Sequence, residues 1–179
     1  MVYNQVYKYY NTPKVTNELG CWDSKFEASY AQELDLRKKA KDIIDWIRPR
    51  GKVLEPCCGD GAFLKYLPNA DWCEITKGKD FFDYNKKVQW IITNPPWSQI
   101  RPFIQHSMKI AERVVFLVTV NHLWTKARLR DIKEAGFGIR RIILVDTPKS
   151  FPQSGFQLGV IELKKGYHNE IQLCDMTTS

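Results

Sequence analysis

The residues Asn94-Pro95-Pro96-Trp97 directly follow the apolar run Trp90-Ile91-Ile92-Thr93 and are the strongest chemical signal in the chain. A proline cannot extend a β-ladder, so the pair ends the strand and fixes the backbone. We expect the Asn94 side-chain oxygen and the Pro95 carbonyl to face outward together and accept both N–H bonds of one planar amine. Such an amine is a poor nucleophile, and two acceptors favour its pyramidal, more reactive geometry. Asn94, Pro95, Pro96 and Trp97 are therefore candidate catalytic residues. The alternative is an ordinary strand exit with Trp97 as a hydrophobic lid.

A glycine turn lies upstream, where the short apolar strand Val53-Leu54 leads into the segment 55–61 and then into an apolar helix start. Gly59 and Gly61 would let the backbone approach a ligand closely, and Glu55 offers a carboxylate to a cationic group. A strand, a turn and a helix over 53–66 are typical of nucleotide-binding folds. A Gly-x-Gly pair is a weak signal by itself, and the absence of a lysine-bearing phosphate loop argues against an NTPase.

Three acidic residues, Asp71, Glu74 and Asp80, lie in or close to the second expected strand. An acidic residue after the second strand is the usual ribose ligand in Rossmann-like sheets, which favours Glu74. Asp71 is the alternative if the strand register differs by a few residues. Asp71 and Asp80 could also merely cap turns.

The order of these segments, from glycine turn to acidic residues to the Asn-Pro-Pro-aromatic motif, resembles the S-adenosylmethionine-dependent amino-methyltransferases. The resemblance is strongest to the adenine-N6 DNA methyltransferases of the gamma motif order, and it covers about 53–161. Compact members of that family resemble enzymes carried by bacteriophages and mobile elements. The resemblance implies S-adenosylmethionine as the cofactor, with the 55–61 loop at its methionine portion, Glu74 at its ribose, and Asp80 and Phe81 at its adenine. The cofactor residues so implied are Glu55, Pro56, Cys57, Gly59, Asp60, Gly61, Glu74, Asp80 and Phe81.

Hydrophobic patterning predicts an α/β protein with a Rossmann-like methyltransferase fold: a mostly parallel sheet with helices on both faces. With 179 residues we expect one domain, 1–179, made of an irregular amino-terminal arm (1–24) and a catalytic core (25–179). Buried parallel strands are predicted at 53–54, 72–75, 88–92 and 114–120, and helices at 28–47, 61–66, 100–111 and 126–135.

Two further apolar segments, 142–145 and 158–163, are too close for a helical crossover. We expect them to pair antiparallel as a long carboxyl-terminal hairpin at the sheet edge. Their connecting loop contains Phe151 and Phe156. In the family that the chain resembles, this loop supplies an aromatic ring that packs on the target base, so either residue is a candidate substrate contact. The alternative is that these rings plug an edge of the core.

A formal charge of +7 and a pI near 9.1 favour polyanionic partners. For a methyltransferase this favours nucleic acid over an acidic protein or a metabolite, with DNA favoured and RNA possible. Cationic and aromatic side chains that cluster after the expected strand 114–120 suit a nucleic-acid track. The candidate substrate-binding residues are Trp97, Trp124, Lys126, Arg128, Arg130, Phe151 and Phe156.

The remaining composition favours a soluble cytoplasmic protein. Five cysteines without a Cys-x-x-Cys pair suit a reducing compartment, and the three histidines lack the spacing of metal ligands, so no metal is expected. The amino terminus lacks an apolar signal region and no apolar run is long enough to span a bilayer, so no membrane partner is expected. The sequence gives no indication of oligomeric state.

Four functions remain open at this point. The favoured one is methyl transfer to the N6 amine of adenine in DNA. Methylation of adenine N6 or guanine N2 in RNA, and methylation of a glutamine amide in a protein, would use the same tetrad. The fourth is a catalytically silent subunit that binds S-adenosylmethionine.

Overall fold

The structure is a computed structural model that describes residues 15–17, 20–22, 25–149, 151 and 155–177. In this part of the chain the helices are α1 (Lys25–Ile47), α2 (Ile100–Ile110) and α3 (Lys126–Glu134). The strands are β1 (Val15–Asn17), β2 (Gly20–Trp22), β3 (Val53–Glu55), β4 (Asp71–Trp72), β5 (Val88–Thr93), β6 (Ala111–Thr119), β7 (Phe137–Leu144), β8 (Leu158–Lys165) and β9 (Gln172–Asp175).

Strands β3 to β9 form one seven-stranded sheet in the order β4-β3-β5-β6-β8-β7-β9. The pairs β3–β4, β3–β5, β5–β6 and β7–β9 are parallel, whereas β8 runs antiparallel to both β6 and β7. The predicted mostly parallel sheet with an antiparallel carboxyl-terminal hairpin is therefore confirmed. Because β3, β4, β5 and β6 run the same way, their carboxyl ends meet at one edge of the sheet, where ligands bind in open α/β folds.

Helices cover both faces of the sheet, as predicted. On one face, α1 buries Ala40, Ile43, Ile44 and Ile47, and this spacing places them on a single helix stripe. On the other face, α2 and α3 pack their apolar side chains against the strands. These two layers hold the strand ends in fixed positions.

The helix predicted at 61–66 is instead a single 3₁₀ turn at Leu64–Tyr66. Pro68 follows almost immediately and disfavours helical geometry at the residue before it, so the segment is too short for an α-helix. The second strand is also shorter than predicted. The Glu74 side chain accepts the Thr76 N–H and starts another 3₁₀ turn, Ile75–Lys77, which ends the strand.

The carboxyl-terminal hairpin pairs as predicted, but its predicted position at the sheet edge is wrong. Strand β8 lies between β6 and β7, and β9 covers the outer edge of β7. The sequence of β9 gave no signal because three of its four residues are exposed. Its pairing satisfies backbone groups that β7 would otherwise leave open.

Within the amino-terminal arm, β1 and β2 pair as a two-stranded antiparallel ribbon, which the sequence analysis did not predict. The helix α1 begins at Lys25. Among the described residues, no helix is both long and apolar enough to cross a bilayer.

Candidate active site

The glycine turn is tied to the ends of β3 and β4 by backbone hydrogen bonds. The Cys73 N–H donates to the Glu55 carbonyl at 2.9 Å, and the Cys58 N–H donates to the Cys73 carbonyl at 3.0 Å. These bonds extend the pairing of the two strands beyond their last ladder residues. Both predicted cofactor segments therefore lie side by side at the carboxyl edge of the sheet.

The turn depends on left-handed backbone conformations at two glycines. Gly59 has φ +50° and Gly61 has φ +86°, which non-glycine residues rarely adopt. A Cβ atom built on Gly59 would meet no heavy atom of the described structure within 4 Å. The turn therefore leaves open space at an exposed surface, next to the exposed Asp60, although the Gly59 carbonyl itself accepts a bond from Lys77 Nζ at 2.7 Å.

Glu74 organises this turn. Its Oε2 accepts the Gly59 N–H at 2.8 Å, and its Oε1 accepts both the N–H and the hydroxyl of Thr76. A carboxylate has about four acceptor positions, so one remains for a ligand hydroxyl. The alternative ribose ligand, Asp71, lies at the start of β4 and accepts the Tyr84 hydroxyl at 2.6 Å. The geometry thus favours Glu74 over Asp71.

Three thiols line the turn and the neighbouring strand end. Burial raises the pKa of the Cys57 thiol, and the nearby Thr93 hydroxyl partly offsets that rise. Burial also raises the pKa of Cys58, and it raises that of Cys73 to about 11. The thiolate is the reactive form, so these cysteines are protonated and unreactive at neutral pH. They fill space beside the turn and are unsuited to act as nucleophiles.

Asn94 follows the last residue of β5, as the sequence predicts, but its side-chain oxygen does not face outward. The residue is half-buried, its Oδ1 is enclosed, and this atom has no hydrogen-bond partner among the described residues. An unpartnered buried acceptor costs about 1–3 kcal/mol. A half-turn of the amide exchanges its oxygen and nitrogen, and the torsion involved has a broad, two-fold profile. Such a half-turn would place the oxygen where the amide nitrogen now lies.

The two prolines end β5 as predicted. Pro95 is buried, and Pro96 has extended backbone angles and precedes the 3₁₀ turn Trp97–Gln99, which runs directly into α2. Trp97 is half-buried and packs against the cores on both sides of the sheet. The tetrad is therefore a rigid link between a central strand and a helix.

A second segment that the sequence analysis did not assign lies against Trp97. After β6 the chain forms a 3₁₀ turn, Val120–Leu123, and the His122 ring centroid is 5.9 Å from that of Trp97. Asn121 Oδ1 is buried and has no partner within the described structure. The sequence could have indicated these two residues by their position, because Asn121 and His122 directly follow the end of a buried strand.

The unpartnered buried polar atoms concentrate at this edge. Besides Asn94 and Asn121, the Arg128 Nε beside the β6 turn is enclosed without a hydrogen bond to described residues, and the Ser107 hydroxyl in the second half of α2 is a further atom of this kind. Such atoms are rare in folded proteins, and each calls for a physical reason such as a ligand. The grouping of Asn94, Asn121 and Arg128 at the ends of β5 and β6 identifies this edge as the candidate active site.

The predicted cofactor residue Phe81 is only 3% exposed and belongs to the core, where its ring stacks on Phe103 with 5.0 Å between centroids. The ring that reaches the surface is its neighbour Phe82, which is 40% exposed. Asp80 caps this turn by accepting the Phe82 N–H at 2.9 Å. Ile75, directly after Glu74, is a second exposed apolar side chain that the sequence analysis did not assign.

The predicted basic track divides into exposed and structural residues. Trp124, Lys126 and Arg130 are exposed, and Arg130 lies 4.0 Å from the carboxylate of Glu134, a long ion pair. Arg128 instead donates from Nη1 to the His122 carbonyl at 2.7 Å, and burial lowers the pKa of its guanidinium. Arg128 therefore supports the turn beside Trp97, and a substitution there would disturb the candidate site itself.

The two aromatic residues of the hairpin loop differ in position. Phe151 is buried in the core beneath α1, which agrees with the alternative that it plugs a core edge. Phe156 is exposed on the surface. Of the two, Phe156 alone has a ring accessible to a substrate in this structure.

His122 gives a pH-dependent stability prediction. Burial and the nearby Arg128 lower the pKa of its imidazole. The unfolded chain therefore takes up a proton below about pH 6.5 while the folded protein resists it, so stability is expected to fall as the pH drops through that range. The urea midpoint should decrease on acidification, and His122→Gln should flatten this decrease. The exposed His168 provides the matched control, His168→Gln; an equal flattening by both variants would refute the assignment to His122.

Comparison with known proteins gives no match to any family model and none to any curated protein. Solved structures do match. The EcoKI M protein of a type I restriction enzyme aligns over 79% of this chain and 48% of its own, with TM-score 0.59 and 16% identity. Magnesium protoporphyrin IX methyltransferase from Synechocystis PCC 6803 aligns over 82% and 86%, with TM-score 0.56 and 12% identity.

A TehB-like S-adenosylmethionine-dependent methyltransferase from Corynebacterium glutamicum aligns over 79% of this chain and all of its own, with TM-score 0.50 and 16% identity. The chain has the fold of these methyltransferases. It spans less than half of each of the three type I restriction-modification chains that it matches. In the described part of this methyltransferase fold, no group of three or more His, Cys, Asp or Glu residues is arranged to hold a metal ion.

Proposed function

We propose that this protein is an S-adenosylmethionine-dependent N-methyltransferase that acts on the N6 amine of adenine in DNA. The observation that carries the proposal is the Asn94 side chain, an unpartnered amide oxygen at the end of a central strand, one strand away from an open glycine turn. When bound, S-adenosylmethionine supplies an electrophilic methyl group on a sulfonium.

The residues present fit that cofactor. The turn leaves open space beside Gly59 for a ligand, and Glu74 retains an acceptor position for a ribose hydroxyl. Ile75 and Phe82 are exposed apolar side chains in the two turns that follow β4, so they suit the flat faces of an adenine ring. We therefore assign the adenine contact to Phe82 in place of the buried Phe81.

The chain's own contribution to catalysis is positioning and electrostatic. The Asn94 oxygen and the Pro95 carbonyl accept the two N–H bonds of the substrate amine, which directs its lone pair toward the methyl donor. The rotation that exposes Asn94 Oδ1 also relieves the cost of an unpaired buried acceptor. Transfer of the methyl group to the amine nitrogen would break its bond to the sulfonium, and the donor would leave as a neutral thioether. The methylated amine would be acidic and would lose one proton to water, so no dedicated general base is required.

Nucleic acid is the favoured substrate class on charge. Trp124, Lys126 and Arg130 are exposed together near the β6 end, where a basic and aromatic surface suits a polynucleotide strand. A base inside a duplex would have to leave the stack, which costs a few kcal/mol and would be offset by stacking on Trp97. RNA amines are the second candidate, because the same surface would bind either backbone. The protein glutamine amide is less favoured by the net positive charge.

Trp97 provides a test of base stacking. Trp97→Ala is expected to lower kcat/KM more than Trp97→Phe or Trp97→Tyr, since the smaller rings retain a flat face for the substrate. Steady-state methyl transfer to an oligonucleotide measures the effect. Because Trp97 also packs on both cores, the urea midpoint of each variant serves as the control for lost stability. Equal losses of kcat/KM in all three variants would argue against stacking.

The function as a whole is tested by supplying the protein with tritiated S-adenosylmethionine and DNA, RNA and protein fractions. We expect label in DNA. Label in RNA or protein alone would transfer the proposal to that substrate, and cofactor binding without label in any fraction would indicate a silent subunit.

A further inference from the structure

One buried carboxylate, away from the candidate active site, is surrounded by more positive charge than it can neutralise. Glu162 of β8 is 1% exposed, and its oxygens accept bonds from Arg113 Nη1 at 3.1 Å, Arg140 Nη1 at 2.9 Å and Arg141 Nε at 2.5 Å. Three guanidinium groups against one carboxylate leave two positive charges in excess. We name these four residues the arginine cluster.

An irregularity in β7 brings two consecutive arginines to the same carboxylate. Neighbouring residues of a strand normally point to opposite faces, but the register between β7 and β8 shifts between Ile139 and Arg141. A bulge of this kind re-aims side chains and is often found near functional sites. It allows Arg140 and Arg141 to contact Glu162 together.

Aromatic rings fix two of the guanidinium groups. Arg113 lies over the Trp90 ring at 4.7 Å from its centroid, and Arg141 lies over the Trp46 ring of α1 at 4.2 Å. These contacts hold the two groups at the sheet surface before any ligand arrives. A ligand would therefore bind with little additional loss of side-chain freedom.

The arginine cluster contains more arginines than are needed to neutralise one buried carboxylate. A single well-placed arginine can pair with a buried carboxylate, whereas a surplus of like charges opposes folding unless another anion is present. The side chains of Arg113, Arg140 and Arg141 are 30%, 24% and 15% exposed. Each guanidinium has five N–H donors, so donors remain that can reach a solvent-side anion in the paired geometry typical of phosphate.

We propose that the arginine cluster binds a phosphate group of a nucleic-acid backbone. Arg113 lies six residues before the end of β6, which corresponds to about 20 Å along the strand from the candidate active site. At about 3.4 Å per nucleotide of a duplex strand, this separation equals roughly six nucleotides. The cluster would thus hold the backbone away from the target base. The choice of nucleic acid rests on the proposed function, whereas the oxyanion chemistry does not.

Arg140→Gln is the test variant, because Glu162 keeps two arginines and Arg140 has no aromatic contact in the described structure. Binding of a labelled oligonucleotide without cofactor is measured over a range of salt concentrations. We expect weaker binding and a log–log salt slope reduced by about one. Arg140→Lys keeps the charge and should retain the slope. Arg130→Gln, in the exposed α3 pair, is the matched control for a general loss of positive charge.

Titration with inorganic phosphate distinguishes a site for free phosphate from a site for the phosphate of a nucleic-acid backbone. Calorimetric titration with phosphate should detect binding to the wild-type protein and its loss in Arg140→Gln. An unchanged oligonucleotide slope in Arg140→Gln, at a native urea midpoint, would overturn the proposal. Loss of phosphate binding with an unchanged oligonucleotide slope would also overturn it, because the nucleic-acid backbone would then not be the source. These readouts involve no methyl transfer, so they remain interpretable even if the proposed activity fails.

Discussion

Replacing Asn94 by alanine is expected to lower kcat by a factor on the order of a hundred or more, with S-adenosylmethionine binding near normal. In the proposed complex the Asn94 amide oxygen accepts a hydrogen bond from an N–H of the substrate amine, and this bond strengthens as positive charge develops on the nitrogen. The glycine turn that would hold the cofactor is built from other residues, Gly59, Gly61 and Glu74. The effect should therefore appear in turnover and leave the affinity for the cofactor intact.

Steady-state kinetics and calorimetric titration with S-adenosylmethionine separate the two quantities. Asn69→Ala, at an exposed asparagine in the turn before β4, is the matched control. The same urea midpoint in both variants would exclude a loss of fold as the cause. Turnover by Asn94→Ala at the wild-type rate would refute the assigned role.

Replacing Glu162 by glutamine is expected to lower the free energy of unfolding by about 3–5 kcal/mol. The change removes the only negative charge of the arginine cluster and leaves three partly buried guanidinium groups without a counter-ion from this strand. Glutamine has nearly the same volume, so the loss would be electrostatic and would not reflect a cavity. Urea unfolding measures it.

The control for this variant is Glu134→Gln. Glu134 pairs with Arg130 at 4.0 Å, and both side chains are largely exposed. Such a pair contributes less than about 1 kcal/mol, so its removal should barely move the urea midpoint. If Glu162→Gln were no more destabilising than Glu134→Gln, the arginine cluster would not be the tightly coupled, buried network described above. Added phosphate should partly restore the stability of Glu162→Gln if the cluster binds oxyanions.

The parallel strands β3, β5 and β6 were predictable because they are largely buried and therefore appear in the sequence as apolar runs. The segment 88–93 is an example: four of its last five positions are buried, and the prolines at 95 and 96 mark its end. The antiparallel pairing of β7 and β8 followed from the short connection between them. The edge strand β9 and the bulge at Arg140 could not be predicted from hydrophobic patterning. An exposed strand and an irregular ladder both lack the regular alternation of apolar and polar residues.

The positions of Asn94 and the glycines at strand ends were predictable, because proline and glycine interrupt the apolar runs at those points. The side-chain orientation at Asn94 was not, since both rotations of an amide suit the same backbone. Phe81 and Phe82 are adjacent and equally apolar, and both rings contact Phe103, so which ring is buried depends on the orientation of the turn and not on residue type. Asn121 and His122 were missed because their role depends on a contact with Trp97 that no local spacing encodes.

The most direct test of the account is mass analysis of nucleosides from DNA and RNA of cells that express the protein, with Asn94→Ala as the paired sample. Expression of the wild-type protein should raise N6-methyladenine in DNA, and expression of the variant should leave it at the background of cells without the protein. Equal N6-methyladenine with both proteins, or no methylated nucleoside with wild-type protein that binds S-adenosylmethionine, would contradict the proposed enzyme.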